Sequence, residues 1–198
     1  MKDYNKTMNK ALNEFLDKPA SVAAPLLLGC ILEREIDGVI LRARIVETEA
    51  YDQTDAASHS YKGKTERTNV MFGTPGHLYV YFTYGMHYCC NIVVGEAGHG
   101  SAVLIRAVEP LEGEDVMAQH RGDKAGVEIS NGPAKLCQAL MIGKILNGHD
   151  LRESPLKLII REPLPNNDII QTTRIGITKD TDTPWRFYVK DNPYVSKM

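Results

Sequence analysis

Short blocks of residues that alternate between apolar and polar, or run apolar, recur along the chain in the pattern that is typical of β-strands. Bounded by turn residues, these blocks predict strands at 30–36, 39–49, 77–84, 88–94, 102–108, 156–161 and 170–178. The first two strands are joined by Asp37-Gly38, a dipeptide that favours a tight hairpin. Residues 50–76 are rich in polar and turn residues and are predicted to form a loop, and the tail after Asp180 is predicted to be irregular.

Helices are fewer than strands, and the pattern predicts them at 21–28, 111–121 and 133–146. Residues 1–20 are polar with a short amphipathic pattern, so we expect an N-terminal arm or helix in front of one domain over residues 21–198. Because the strands follow one another through hairpins, we expect an α+β fold. It would be a compact single domain built on a curved, mostly antiparallel β-sheet flanked by helices.

The composition is that of an ordinary soluble globular protein. The chain has 198 residues, of which 43% are apolar and 24% charged, and this length suffices for one self-contained core. Its longest apolar run, residues 23–32, is about half the length that spans a bilayer and contains proline and glycine. We therefore expect no membrane association.

The compartment is predicted to be cytoplasmic. The N-terminus lacks the basic-then-apolar order of a secretion signal. The cysteines form no CxxC motif, which favours reduced, buried thiols over a zinc site or disulfides; they are Cys30, Cys89, Cys90 and Cys137.

One predicted strand leads into two carboxylates. Period-two alternation gives one side of this segment six residues: Leu41, Ala43, Ile45, Glu47, Glu49 and Tyr51. A carboxylate beside apolar surface is costly unless it has a partner, and such a setting suits general acid or base chemistry. The alternatives are a solvated strand end and a pair of carboxylates neutralised by arginine.

Aromatic residues concentrate in the middle of the chain. Residues 61–88 hold seven of the fourteen aromatic side chains, and the basic residues Lys62, Lys64 and Arg67 lie among them with a single acidic residue, Glu66. Basic residues among aromatics suit a surface that stacks bases and contacts phosphates. The same pattern also fits a tyrosine-rich core strand, so both interpretations stay open at this point.

A metal-dependent nuclease is a further alternative. Carboxylates and histidine bind divalent cations, and the candidate ligands are Glu47, Glu49, Asp52 and His59, with Asp55 nearby. These residues follow no fixed ligand spacing, and a histidine in a loop is more often structural.

Taken together, these residues belong to a set of motifs that resembles the alkyladenine (3-methyladenine) DNA glycosylases. The motifs keep their order over about residues 22–150. They are Ile45-Val46-Glu47-Thr48-Glu49-Ala50-Tyr51, Ala57-Ser58-His59, Thr65-x-Arg67, Met71-Phe72-x-x-Pro75-Gly76, Tyr79-Val80-Tyr81-x-x-Tyr84-Gly85-Met86, Asn91, Val103-Leu104-Ile105-Arg106-Ala107-Val108-Glu109-Pro110 and Asn131-Gly132-Pro133-x-Lys135-Leu136.

The resemblance implies a monomeric enzyme that hydrolyses the N-glycosidic bond of damaged purines in double-stranded DNA and leaves an abasic site. The damaged bases would include 3-methyladenine and, in some members, hypoxanthine or ethenoadenine. It implies no metal and no organic cofactor. No lysine stands where the motifs would make it a Schiff-base nucleophile, so strand cleavage is not expected.

The resemblance also assigns roles within a catalytic pocket. Glu49 would hold and deprotonate the attacking water, and Arg106 would help to position that water. Five residues would line the pocket of the flipped base, as aromatic walls or as screens of the purine edge: Tyr51, His59, Tyr81, Asn91 and Leu104. A purine alkylated at N3 or N7 is cationic, so aromatic walls would attract it more than a normal base.

Four further residues would contact the DNA around that pocket. Tyr84 would fill the gap that the flipped base leaves in the duplex, with Met86 beside it, and Arg67 and Lys135 would contact phosphates. An inserted aromatic side chain offsets part of the cost of extruding a base. A non-catalytic protein that binds damaged DNA is the other alternative, although the presence of both Glu49 and Arg106 argues against it.

The net charge of -2 argues against a DNA-binding protein until the charge is divided along the chain. Residues 59–91 carry three basic residues and one acidic residue, whereas the segments on either side have an acidic excess. A small positive footprint predicts modest nonspecific affinity and a shallow dependence of binding on salt.

Overall fold

The structure is a computed structural model that describes residues 10–83 and 85–196. In these residues the chain forms four α-helices: α1 (10–16), α2 (Ala20–Leu26), α3 (Glu114–His120) and α4 (Pro133–Ala139). It also forms eight strands: β1 (Ile31–Ile36), β2 (Val39–Tyr51), β3 (Leu78–Thr83), β4 (His87–Val93), β5 (Ala102–Glu112), β6 (Leu156–Ile159), β7 (Ile169–Thr172) and β8 (Arg186–Val189).

The strands form one antiparallel sheet in the order β3-β4-β5-β2-β1-β6, with β8 joining β2 to β7. The long strand β2 is its centre. One edge of β2 pairs with β5 throughout, while the other pairs first with β1 and then, at Glu47–Glu49, with β8. The sheet curls into a half-barrel, and the predicted compact α+β fold is confirmed.

The main core lies between the concave sheet and its helices. Leu12 and Leu16 of α1, together with Ala23 and Ala24 of α2, are buried in it. Burying a leucine side chain contributes about 1.5–3 kcal/mol, so a short helix such as α1 is held by packing more than by its own propensity. The Thr48 hydroxyl donates to the Ala24 carbonyl at 2.9 Å, which fixes α2 against the inner end of β2.

The predicted face of β2 is wrong beyond Ile45. The register with β5 shifts between Ile45 and Glu47 and again between Glu47 and Thr48, as it does at a β-bulge. The core side of β2 therefore changes from Leu41, Ala43 and Ile45 to Thr48 and Ala50. Because of this bulge, the carboxylates and Tyr51 project from the opposite face, away from α2; the three residues are Glu47, Glu49 and Tyr51.

Several predicted boundaries also differ. Strand β5 does not end before Pro110 but continues to Glu112, since Pro110 lies at a register shift where its missing N–H is tolerated. The helix predicted at 111–121 consequently begins only at Glu114, after Gly113 with φ +74°. The helix predicted at 133–146 ends at Ala139, and the chain then turns so that Ile142 reaches the core.

The C-terminal region shows the largest difference. The strand predicted at 170–178 ends at Thr172, and the tail predicted to be irregular contains β8, which pairs with both β2 and β7. All four cysteines are free and buried, as predicted. No helix within residues 10–83 and 85–196 has the length and apolar character needed to cross a bilayer.

Candidate active site

A cleft of about 610 Å³ opens on the face of the sheet opposite α2. Its wall is made by strands β2 to β5 and by two loops, residues 56–59 and 175–179. It brings together six of the residues predicted for the site: Tyr51, His59, Tyr81, Asn91, Leu104 and Arg106. Leu104 and Arg106 reach the same cleft because they are two residues apart on β5.

Glu49 lies directly behind this wall, with its side chain fully buried. Its Oε2 accepts a hydrogen bond from the Tyr51 hydroxyl at 2.8 Å and lies 3.2 Å from Nη1 of Arg106. Its Oε1 accepts the backbone N–H of Ile175 at 2.8 Å. These partners are all donors, and Oε1 has a single one among the described contacts, which leaves its second lone pair available to a water molecule.

Arg106 joins the two carboxylates of β2. Its Nε donates to Oε1 of Glu47 at 3.2 Å while Nη1 faces Glu49. Burial lowers the pKa of Arg106, but the negative charges of Glu49 and Glu47 outweigh that effect and raise the pKa above its usual value. The guanidinium therefore keeps its charge and is fixed at the cleft wall.

Glu47 has a different environment from Glu49. It accepts hydrogen bonds from Nε of Arg186 at 2.6 Å and from both the backbone N–H and the hydroxyl of Ser196, at 2.7 and 2.9 Å. Arg106, Arg186 and the Ser196 hydroxyl all donate to Oε1, the Ser196 N–H donates to Oε2, and the side chain of Glu47 is completely buried. This is the geometry of a structural ion cluster.

The aromatic residues form one continuous wall. The His59 and Tyr81 rings meet edge to face at 4.6 Å between centroids, and the Tyr79 and Tyr81 rings stack at 5.7 Å. Since these rings touch each other, no base fits between them. A flat ligand would lie against this wall with Tyr51 as the other side of the cleft.

His59 is held as a neutral ring. Its burial and the nearby charge of Arg67 lower its pKa to about 4. The Nη2 of Arg67 lies 3.4 Å from Nε2 of His59, which assigns Nε2 as the acceptor and puts the ring proton on Nδ1, 3.1 Å from the Tyr79 hydroxyl. Arg67 also lies 5.7 Å above the Tyr81 ring, so it packs on the rim of the aromatic wall.

Met86 and Lys135, which were also predicted to contact DNA, do not line the cleft. Met86 is 71% exposed at the β3–β4 turn. Lys135, on α4, donates to Glu128 and Asn131 at 2.7 Å each. Tyr84, the predicted wedge, lies outside the described residues.

The candidate ligands of the nuclease alternative do not converge. Asp52 binds His99 at 2.8 Å, while Glu47 is enclosed by its arginines and His59 contacts Tyr79. Within the part of the chain that the structure describes, no group of three or more histidine, cysteine, aspartate or glutamate side chains is placed to hold a metal ion.

Residues 174–179 contribute to the site, although their sequence predicted no such role. Ile175 supplies the backbone donor to Glu49, and residues 175–179 line the cleft. Gly176 has φ +75°, a conformation that turns the chain there and that other residues adopt only under strain. The available signal of a loop was a break in the apolar pattern, where a charged residue and a glycine occur two positions apart in Arg174-Ile175-Gly176.

Known proteins resemble this chain along nearly its whole length. The sequence model of one family, described as methylpurine-DNA glycosylase (MPG), matches residues 14–193. A relative from Carboxydothermus hydrogenoformans, named "Putative 3-methyladenine DNA glycosylase", is 53% identical over 185 residues, covering 93% of this chain and 97% of its own.

Two further relatives have the same name. The one from Methanoculleus marisnigri is 47% identical, and the match covers 92% of this chain and 96% of the relative. The one from Clostridium botulinum is 49% identical, with 93% of this chain and 97% of the relative covered. These similarities confirm the predicted resemblance. The chain belongs to the methylpurine-DNA glycosylase family.

Proposed function

We propose that this protein excises alkylated purines, 3-methyladenine among them, from double-stranded DNA by hydrolysing the N-glycosidic bond. The observation that carries the proposal is the Glu49 carboxylate, held by three donors behind a cleft with aromatic walls. Names of the relatives point to the same activity. The pairing of Glu49 with Arg106 at the wall of the cleft argues against a protein that only binds damage.

Recognition would rest on the walls of the cleft. A base alkylated at N3 or N7 carries a positive charge, and the faces of Tyr51 and Tyr81 attract such a cation. A neutral His59 removes the repulsion that an imidazolium would add. Asn91 donates its amide to the Tyr79 carbonyl at 3.3 Å, which orients it beside Leu104 at the cleft.

The chemistry would proceed by departure of the base and attack of water. The bond between the anomeric carbon and the purine nitrogen breaks, and its electron pair leaves with the cationic base, which becomes neutral. The sugar then has oxocarbenium character, which the Glu49 carboxylate stabilises. Water bound at Oε1 attacks the anomeric carbon and gives a proton to Glu49, leaving an abasic site.

Arg106 and Ile175 would position Glu49 for this step. Their donors fix both oxygens of the carboxylate, so no reorganisation is needed when the proton moves. The side chain of Glu49 is fully buried in this structure. Water would therefore reach it after a small displacement of Tyr51 or of the 175–179 segment.

The contacts with DNA around the cleft belong to the same proposal. Met86 is exposed at the β3–β4 turn, two residues after Tyr84 in the sequence, and suits contact with an opened duplex. Arg67 and Lys135 would reach phosphates after exchanging their present partners for them. The protein would act as a monomer without a cofactor.

The test is a base-release assay in the presence of EDTA. One substrate is methylated DNA carrying 3-methyladenine, and the other is a duplex with a single hypoxanthine. Release of free base, with strand breaks appearing only after alkali, supports a monofunctional glycosylase. Tight binding without release would support the damage-binding alternative, and strand cleavage that EDTA abolishes would support a metal-dependent nuclease.

A further inference from the structure

Arg174 is a fully buried charge beside the cleft that the proposed reaction does not use. Its Nη1 donates to the Ala50 carbonyl at 3.0 Å, and both terminal nitrogens donate to Asp55, Nη2 at 3.1 Å. The guanidinium lies between two aromatic rings, 4.8 Å from the centroid of Tyr51 and 5.4 Å from that of Trp185.

The guanidinium contacts Tyr51 from the protein side. Tyr51 lines the cleft, whereas Arg174 does not and has no exposed side-chain surface. One face of the Tyr51 ring is thus occupied by a cation, and the face toward the cleft remains for a base. Burial lowers the pKa of Arg174, but the hydrogen bonds and charge of Asp55 together with Tyr51 and Glu49 outweigh that effect and raise the pKa, so the guanidinium stays charged.

We propose that Arg174 is a specificity-determining residue that moderates the preference of the cleft for cationic over neutral bases. This inference rests on the proposed function. The attraction of a ring for a cation comes from the negative potential of its π-face, and a guanidinium on the rear face reduces that potential on the front. A cationic base at Tyr51 also meets direct repulsion from Arg174, while a neutral base does not.

Asp55 sets how strongly this effect is felt. Its carboxylate binds both terminal nitrogens of Arg174 and compensates most of the charge at a distance. Tyr51 lies closer to the guanidinium than a base in the cleft does, so the ring still senses the cation. Removing the charge of Arg174 and removing the charge of Asp55 therefore change the ratio of the excision rates for cationic and neutral bases in opposite directions.

A purely structural role is the competing explanation, because Arg174 directly precedes Ile175 and anchors the loop that carries the donor to Glu49. Loss of that anchor slows excision of every base by a similar factor. The ratio of the rates for a cationic base and a neutral base distinguishes the two explanations.

The experiment measures single-turnover release of 3-methyladenine, which is cationic in DNA, and of hypoxanthine, which is neutral. The double variant Arg174→Gln/Asp55→Asn should raise the ratio of the two rates about threefold to tenfold, as expected when an aromatic face regains cation attraction. Asp55→Asn alone leaves the cation unbalanced and should lower the ratio. Arg174→Lys keeps the charge and should leave the ratio near that of the unmodified protein.

Three outcomes would overturn the inference. Variants that slow both reactions by one common factor assign Arg174 a structural role only, and an Arg174→Lys ratio equal to that of the neutral double variant excludes charge as the cause. An unmodified protein that releases neither base refutes the proposed function instead. Binding of the same two duplexes in a Glu49→Gln background then gives the ratio without catalysis, and an unchanged binding ratio refutes the role of Arg174.

Discussion

Glu47 and Glu49 project from the same face of β2, two residues apart, yet their surroundings differ in one decisive respect. Glu47 accepts from Arg106 on β5, from Arg186 on β8 and from Ser196, and of these residues only Arg106 lines the cleft. Glu49 has donors from Tyr51, Arg106 and Ile175, and all three of these residues line the cleft. The carboxylate of Glu47 is thus held mainly by residues away from the cleft, whereas that of Glu49 is held by the cleft wall itself.

The difference shows how one fold gives two identical residues different tasks. A carboxylate that accepts from two buried arginines is a large part of what keeps those arginines in place. A carboxylate whose partners all line an aromatic cleft lies where it can act on a bound base. Substitutions at the two positions should therefore affect different properties, stability at Glu47 and turnover at Glu49.

The largest expected effect is on turnover, from Glu49→Gln. The amide keeps the shape of the side chain and an oxygen acceptor, but it cannot take a proton from water. Excision should fall by about 10²–10⁴, the usual contribution of a general base, while binding to damaged duplex persists. The measurement is single-turnover release of 3-methyladenine together with equilibrium binding.

Glu112→Gln is the matched control, because Glu112 forms a half-exposed ion pair with Arg42 far along the same sheet. It should leave both release and binding unchanged. Excision by Glu49→Gln that stays within about tenfold of the unmodified protein, roughly 1.4 kcal/mol of barrier, would show that Glu49 is not the base.

Glu47→Gln should instead destabilise the fold. It removes the charge that compensates Arg106 and Arg186, and breaking such a buried cluster costs about 3–5 kcal/mol. Denaturant unfolding measures the loss, and the exposed pair at Glu112 should cost under about 1 kcal/mol. Equal losses of stability for Glu47→Gln and Glu49→Gln would remove the distinction between the two regions.

The sequence predicted the inner parts of this site better than its rim. The motifs named Glu49, Tyr51, His59, Tyr81 and Arg106, and the strand predicted over 102–108 is present and brings Leu104 and Arg106 to the same cleft. The prediction of which side chains share a face of β2 was wrong beyond Ile45. A bulge there is set by pairing with β5, a strand about sixty residues away in the chain. No local pattern of residues contains that information.

The rim of the site depends on contacts across even longer separations. Ile175 contributes through its backbone N–H, and every residue except proline has that group, so its identity gave no signal. Strand β8 was hidden for a similar reason. Arg186–Val189 is short and carries one charged residue, and it becomes a strand by pairing with Glu47–Glu49.

A smaller effect is expected from Gly176→Ala, which tests whether the loop closes the Glu49 region. Its φ of +75° costs a residue with a Cβ about 1–2 kcal/mol, and no atom lies within 4 Å of the added carbon. Excision should fall by about tenfold, since that strain moves the Ile175 donor away from Glu49. Single-turnover assays and thermal unfolding measure the two consequences separately.

Gly38→Ala is its control. Gly38 has nearly the same φ, +81°, and equally open space, but it lies in the β1–β2 hairpin away from the cleft. It should cost similar stability and leave excision unchanged. If both alanine variants lose activity to the same degree, the loop has no specific effect on Glu49.

The smallest effect concerns the aromatic wall, through Arg67→Ala. Burial is the main reason that the pKa of His59 is lowered to about 4, and the positive charge of Arg67 is the second reason. Removing that charge should raise the pKa of His59 toward its ordinary value of about 6.5, by less than burial lowers it. Titration of the His59 ring protons by NMR measures the change.

The sign of this shift has a consequence for stability. Because the folded chain holds His59 below its ordinary pKa, acid favours the unfolded chain, and stability from this group is lost as the pH falls from about 6.5 through 4. Because Arg67→Ala should raise the pKa of His59 in the folded chain, the pH range over which this stability is lost becomes narrower at its acid end. If the pKa of His59 stays the same or falls in Arg67→Ala, Arg67 does not pack against the aromatic wall in solution. Its remaining predicted role would then be the phosphate contact.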